Sequence, residues 1–286
     1  MKKIHIILSF LFGILVCTIG HYFLFKNHHP FPHFPNKHKY KAILTPQKHI
    51  ERIKAKGQYP TMAPPKTLIV CYDEKFFNNA LKKYKHKQCD GQFGGLYFLI
   101  DHPSIAFIQL PGFGPGSAMK LELLIAWGIK QVIAIGTSCG FQKDIKPGDI
   151  LVCERSIRDE GLSHHYLPYS KYAYPSQKLQ KQLLLTLKNL KVPYKIGTSW
   201  ATDAFYRTTK EEVKHYQKEG IMCIDAEGAS LLSVAKFRNI DMVIMFTITD
   251  SYANLEWEKA LYHQDKKIET LNKMLEIALQ VAAREK

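Results

Sequence analysis

From residue 67 onward, short apolar runs rich in β-branched residues alternate with stretches of helical spacing. TLIVC (67–71) predicts a buried strand. LYFLI (96–100) and IAFIQL (105–110) predict a hairpin around Asp101-His102-Pro103-Ser104. Residues 117–127 have a helical period that Gly128 stops. QVIAIG (131–136) reads as a buried strand, and ILVCER (150–155) as a strand after a Pro147-Gly148-Asp149 turn. A helix over 177–190, a strand IMCID (221–225), a helix over 227–237 and a strand MVIMFTIT (242–249) follow. Residues 256–284 predict a long amphipathic helix. Alternation of this kind implies an α/β sandwich with a largely parallel central sheet, whose ligands gather at the carboxyl ends of the strands.

The first 66 residues read differently. Residues 4–25, IHIILSFLFGILVCTIGHYFLF, are almost continuously apolar, and about 20 such residues span a bilayer. A signal peptide is the rival reading, but no A-x-A-like cleavage site follows, and Leu15-Val16 before Cys17 do not suit a lipoprotein site. The expectation is an uncleaved single-pass anchor over residues 1–26. Lys2 and Lys3 precede the apolar run, while Lys26, Lys37, Lys39 and Lys41 follow it, which favours keeping the main domain in the cytoplasm. Residues 27–66 are expected to be a Pro/His/Lys-rich linker, its lysines suited to anionic headgroups. The domain proper is expected over 67–286.

Composition and charge then narrow the function. With 46% hydrophobic residues the 286-residue chain can bury a large core. The net charge is +15, yet residues 26–90 hold fourteen Lys/Arg against four Asp/Glu, and residues 91–286 hold twenty-four against twenty-one. The basic character belongs to one segment, which argues against nucleic acid as the partner. The six cysteines form no C-x-x-C pair and suit no zinc site, so neither metal nor organic cofactor is expected. Cys71, Cys153 and Cys223 lie in apolar runs and read as reduced thiols.

Three strand ends carry candidate chemistry. In Ile135-Gly136-Thr137-Ser138-Cys139-Gly140, glycines let the backbone approach a ligand and successive N–H groups cradle an anion. In Ile224-Asp225-Ala226-Glu227-Gly228, a strand gives way to a helix at two carboxylates, and Glu227 suits a sugar diol or the helix dipole. In Thr247-Ile248-Thr249-Asp250-Ser251, an acid ends a strongly apolar strand, as a general acid or a turn residue does.

Taken together and in this order, IGTSCG, IDAEGA and TITD resemble the purine nucleoside phosphorylase/uridine phosphorylase family, which also includes methylthioadenosine nucleosidases. Asp203-Ala204-Phe205-Tyr206 resembles the family's D-x-F-Y segment, and IRDEGLSHHYLP (157–168) a stretch of one bacterial branch. The intervals of 22 positions from Phe205 to Glu227 and 23 from Glu227 to Asp250 match the family's spacing. The resemblance covers roughly 67–280. It implies a three-layer sandwich with a mixed, largely parallel sheet, a homo-oligomer, and cleavage of a nucleoside's N-glycosidic bond with inorganic phosphate as co-substrate. By resemblance, Glu227 binds the ribose hydroxyls with Asp225 beside it, Thr137 faces ribose and phosphate, and Phe205 stacks on the base. Asp250 protonates N7 of a departing purine, a residue that uridine phosphorylases generally lack. His164 or His165 is a candidate to approach the sugar.

The departures concern the nucleophile. Where phosphorylases carry G-D-P-x-R this chain has Cys71-Tyr72-Asp73-Glu74-Lys75, and Ala134 replaces an Arg two residues before Gly136. Ala226 replaces the Met before the ribose Glu. Phosphate would then rest on Gly136, Thr137 and Ser138 with a substitute cation, for which Arg158 is the first candidate and Arg207 and Lys75 the others. The alternative is a nucleosidase in which Asp73 or Glu74 activates water. A third reading is a noncatalytic nucleoside-binding module at the membrane.

Overall fold

A computed structural model describes residue 34, residues 36–259 and residues 264–284. The expected membrane span at 4–25 lies outside the described residues. Among the described residues, no helix is long and apolar enough to cross a membrane.

Alternation at single-residue intervals builds three layers. In β1 (Thr67–Cys71), Leu68 and Val70 face one core while Ile69 and Cys71 face another. The first core is covered by α1 (Pro46–Ala55), α3 (Gly114–Trp127) and α7 (Gly228–Phe237), through Ile50, Leu121 and Leu231 among others. The second is covered by α2 (Glu74–Lys83), α5 (Gln177–Asn189) and α8 (Gln264–Ala283), through Phe76, Leu183 and Leu275. Strands buried on both faces explain the unbroken apolar runs of the sequence.

The sheet has an open wing and a closed ring. In the wing, β2 (His86–Gln88), β3 (Leu96–Leu99) and β4 (His102–Gln109) run as antiparallel neighbours, and β4 pairs parallel with β1. β1 pairs parallel with β5 (Gln131–Gly140). β5 enters the ring with β6 (Ile150–Asp159), β8 (Lys195–Thr202), β9 (Cys223–Asp225) and β10 (Asp241–Ser251). β10 pairs parallel with β5 and antiparallel with β6, and β9 pairs parallel with β8 and antiparallel with β5, so the ring closes. β7 (Tyr172–Ala173) and β11 (Glu258–Lys259) add short antiparallel edges to β6 and β10. The sheet is therefore mixed, the ring joining antiparallel at β10–β6 and at β9–β5. A four-residue α4 (Ser163–Tyr166) follows β6, and α6 (Lys210–Lys218), opened by a Thr209/Glu212 capping box, covers a third core around Phe141 and Trp200.

Two expectations need correction, and one strand was not expected at all. The stretch read as a linker contains α1: Thr45 caps it, Pro46 sits at its first turn, and Ile50 and Ile53 are buried. Two apolar residues one turn apart are too few to register as a stripe, yet they suffice to dock ten residues. The helix expected from 256 begins at Gln264, because residues 258–259 pair with the end of β10. β8 escaped notice because its buried side chains include Thr198, Ser199 and Thr202, and because a Cβ at Gly197 would overlap Met222.

Candidate active site

The carboxyl ends of β1, β5 and β10 and the β9–α7 junction surround a cavity of about 740 Å³. It is lined by Thr137 and Ser138 from β5, Asp225 and Glu227 from the junction, Phe205 from a 3-10 turn, and Asp250 from β10. These are residues that the sequence singled out from four separate segments, and they share one wall-to-wall space. Gly136 lies just behind: a Cβ there would come within 3.3 Å of the Tyr72 ring, itself part of the lining.

Glu227 occupies the N-cap position of α7 without capping it. Asp225 takes that role, its Oδ1 accepting the N–H groups of Glu227 at 2.9 Å and Gly228 at 2.6 Å. Asp225 thus lies beside Glu227 but spends its carboxylate on the helix end, with 2% of its surface exposed. Glu227 is left free to face the cavity, where its Oε1 accepts the N–H of Phe113 at 2.6 Å. Burial, and next the charge of Asp225, push its pKa from 4.5 to about 7. The same two carboxylates, added to burial, hold the Tyr72 phenol well above its ordinary value.

Asp250 reaches the cavity through a β-bulge. Ile248 pairs with Ser138 and Asp250 with Cys139, so Thr249 is the extra residue. Ile248 stays in the core, while Thr249 and Asp250 both face the cavity. The Thr249 hydroxyl donates to Asp250 Oδ2 at 2.9 Å. Sequence reading located the acid but not the bulge that aims it.

It also missed the loop Gly112-Phe113, although Pro111-Gly112-Phe113-Gly114-Pro115-Gly116 is a strong turn signal. A Cβ at Gly114 would overlap the Ser230 hydroxyl, so glycine lets α3 approach α7 closely enough for Phe113 to meet Glu227. The Phe113 ring stands edge-on to Phe205, with centroids 6.4 Å apart.

Other candidates are placed elsewhere. Arg158 does not line the cavity: its guanidinium is buried among Ser163, the Pro168 carbonyl and Ser170. A strand position that alternates inward hides it, which the charge alone does not reveal. Asp73 caps α2 through the Phe76 N–H and pairs with Lys267 at 2.6 Å, while Glu74 is exposed on α2. Neither lines the cavity, nor do Lys75 and Arg207. His164 contacts the Arg158 carbonyl at 2.9 Å, and His165 lies 3.1 Å from the Lys37 ammonium. Among the described residues lining the cavity, the one cation is Lys210, which faces Glu256 at 3.6 Å.

The chain is similar to known proteins in sequence and in fold. The chain is 28% identical over 200 residues to the DeoD-type purine nucleoside phosphorylase of Thermoanaerobacter sp. (strain X514), covering 68% of this chain and 84% of that one. It is 26% identical over 180 residues to the same type of enzyme from Aliivibrio fischeri, covering 61% and 74%. In fold it is similar to Toxoplasma gondii purine nucleoside phosphorylase, with a TM-score of 0.65 at 20% identity over 77% of this chain and 90% of that one. Uridine phosphorylase from Vibrio fischeri ES114 gives a TM-score of 0.61 at 22% identity over 78% and 90%. Residues 68–284 match the model of the phosphorylase superfamily, and the chain belongs to that family.

Proposed function

We propose that this protein cleaves the N-glycosidic bond of a nucleoside, with purines preferred, by phosphorolysis to free base and ribose 1-phosphate. The observation that carries the proposal is that Glu227, Asp250 and Phe205, from three distant segments, line one cavity at the strand ends. The purine nucleoside phosphorylases it resembles support the same reaction. A phosphate oxygen attacks C1′ as the bond to the base breaks, through an oxocarbenium-like transition state, giving ribose 1-phosphate and placing the bond's electron pair on the base. Ionised Glu227 accepts the ribose hydroxyls, with Thr137 beside them. Asp250 delivers a proton to N7 and takes up the negative charge that the base would otherwise carry. Phe205 packs on the base. No metal or organic cofactor enters this scheme.

A second reading, hydrolysis by water, draws on one observation: among the described residues the one cation lining the cavity, Lys210, already faces a carboxylate. One experiment separates the two. Full-length protein is given inosine with and without phosphate, and free hypoxanthine is measured. Phosphate-dependent release is expected. Release indifferent to phosphate overturns phosphorolysis in favour of water, and saturable binding without release leaves a noncatalytic module. Asp250→Asn should lower kcat by about 10²–10⁴, the usual contribution of a general acid, with KM changed little.

We also propose that residues 4–25 anchor the protein in a membrane, with the domain on the cytoplasmic side, and that it works as a homo-oligomer. The apolar run, the lysines that follow it and the family resemblance support this. Carbonate extraction of membranes and cross-linking test the two parts: release by carbonate overturns the anchor, and absence of cross-linked species overturns the oligomer.

A further inference from the structure

Residues 252–257 form the loop of a hairpin at the mouth of the cavity. β10 and β11 pair antiparallel, Asp250 with Lys259 and Ser251 with Glu258. One further step in that register sets Trp257 across from Tyr252. Side chains alternate along a strand and cross-strand partners share a face. Asp250, Tyr252 and Trp257 therefore share one face, and Ser251 and Glu258 the other. Asp250, Tyr252 and Trp257 all border the cavity, together with Thr249 from the bulge and Leu255 and Glu256 from the loop, whereas Ser251 and Glu258 do not. With strands about 4.8 Å apart and a rise of about 3.4 Å per residue, the Cα atoms of Trp257 and Asp250 lie about 8 Å apart. That is within reach of one flat bicyclic ring held at Asp250.

The loop is fastened on several sides. The Tyr252 N–H donates to the Gly140 carbonyl at 2.8 Å, and Gln217 donates to the Ala253 carbonyl at 3.1 Å. Asn254 bridges to Glu258 at 2.7 Å, and Glu256 faces Lys210 on α6 at 3.6 Å. Of the chain's three tryptophans, Trp127 and Trp200 are 5% and 1% exposed, whereas Trp257 is 64% exposed. An indole left in water on a tied-down loop, on the cavity side, is a surface awaiting a planar partner.

We propose that Trp257 is a base-stacking, specificity-determining residue: its indole forms the outer wall of the base subsite, supplementing Phe205 and favouring a purine over the smaller pyrimidine. The proposal rests on the nucleoside-cleaving reading given above. The test uses the full-length protein and its Trp257→Ala and Trp257→Phe variants, with inosine and uridine as substrates and indole fluorescence as a second readout. Stacking on one aromatic side chain is worth about 1–3 kcal/mol per base. Trp257→Ala should therefore raise the KM for inosine about tenfold while kcat changes less than threefold, and should narrow the preference for inosine over uridine. Trp257→Phe should keep the inosine KM within about threefold of wild type. Inosine should quench the wild-type fluorescence saturably, and the quench should vanish in Trp257→Phe. An unchanged KM in Trp257→Ala overturns the proposal. A changed oligomeric state with unchanged KM also overturns it, by assigning the indole to a contact between copies. If wild-type protein neither cleaves nor binds inosine, the functional reading itself fails, and Trp257 falls with it.

Discussion

The Phe113 N–H donates to Glu227 Oε1 at 2.6 Å from a backbone with φ of 71° and ψ of 147°. That region is close to glycine-only, and a non-glycine residue held there costs on the order of 1–3 kcal/mol. The strain is maintained by the close contact of Gly114 with Ser230, and it aims one fixed donor at the carboxylate proposed to bind ribose. Glycine at 113 keeps the N–H and removes the strain, whereas alanine keeps the strain and loses the ring. Phe113→Gly is therefore expected to unfold at a higher urea concentration than Phe113→Ala, the reverse of the usual order. Both should raise the nucleoside KM severalfold, because the ring that stands against Phe205 is gone. Urea melts of the two variants check the ranking, and the opposite order would show that the backbone relaxes when the ring is removed.

The pKa of Glu227 makes a second prediction. A carboxyl at 4.5 in the unfolded chain and about 7 in the folded one takes up a proton on folding between those values. The contribution of Glu227 to stability is then greatest below pH 4.5, declines as pH rises through the window, and is lowest above 7. Substrate binding has the opposite sign, since only the ionised form accepts two hydroxyl donors. On these grounds kcat/KM should fall about tenfold per pH unit below 7, and Glu227→Gln should lose that limb. The same variant should flatten the decline of stability between pH 4.5 and 7. A wild-type acid limb near 4.5 would contradict the raised pKa.

Sequence made the site's chemistry legible further than its geometry. Glu227 and Asp250 stand at strand ends, where the change of hydrophobic period marks them, whereas Phe205 follows the strand that escaped notice and is marked only by the resemblance of its Asp203–Tyr206 segment. Their meeting depends on features with no local signature: the bulge at Thr249, the capping of α7 by Asp225 rather than Glu227, and the approach of α3 that Gly114 allows. The fold divides in the same way. β1, β5 and β10 are unbroken apolar runs because both faces are buried. β8 is hidden by buried hydroxyls, and α1 by a composition that resembles a tether.

That helix carries a third prediction. Ile50 and Ile53 pack with the β1/α3 core, and Ile53 is buried to 3% exposure. Removing a buried isoleucine side chain to Cβ costs about 2–5 kcal/mol when the surroundings do not collapse. Ile53→Ala should therefore lower stability in that range, a loss that a flexible tether would not show. A chain begun at residue 67 should be less soluble than one begun at 36, because it uncovers the face of α3 on which α1 packs. Equal urea midpoints for Ile53→Ala and wild type would return residues 46–55 to the status of a linker.

Arg158 separates a structural cation from a phosphate ligand. Its guanidinium donates to Ser163 Oγ at 2.9 Å, to the Pro168 carbonyl at 2.7 Å, to Ser170 Oγ at 2.7 Å and to the Ser163 carbonyl at 3.0 Å. It thereby ties β6 to α4 and the following loop. Methionine has similar length and no donors, so Arg158→Met strips the buried Ser163 hydroxyl of this donor, at about 1–3 kcal/mol where water cannot reach, while the exposed Pro168 and Ser170 acceptors turn to solvent. The expected result is a drop of about that size in stability and a loosened 163–170 segment by amide exchange. The KM for phosphate, measured where the variant is still folded, should stay within about threefold of wild type, since a phosphate ligand removed outright costs far more. A large rise in phosphate KM with unchanged stability would mean that Arg158 leaves its present partners to meet the anion, and that the 163–170 segment moves with it.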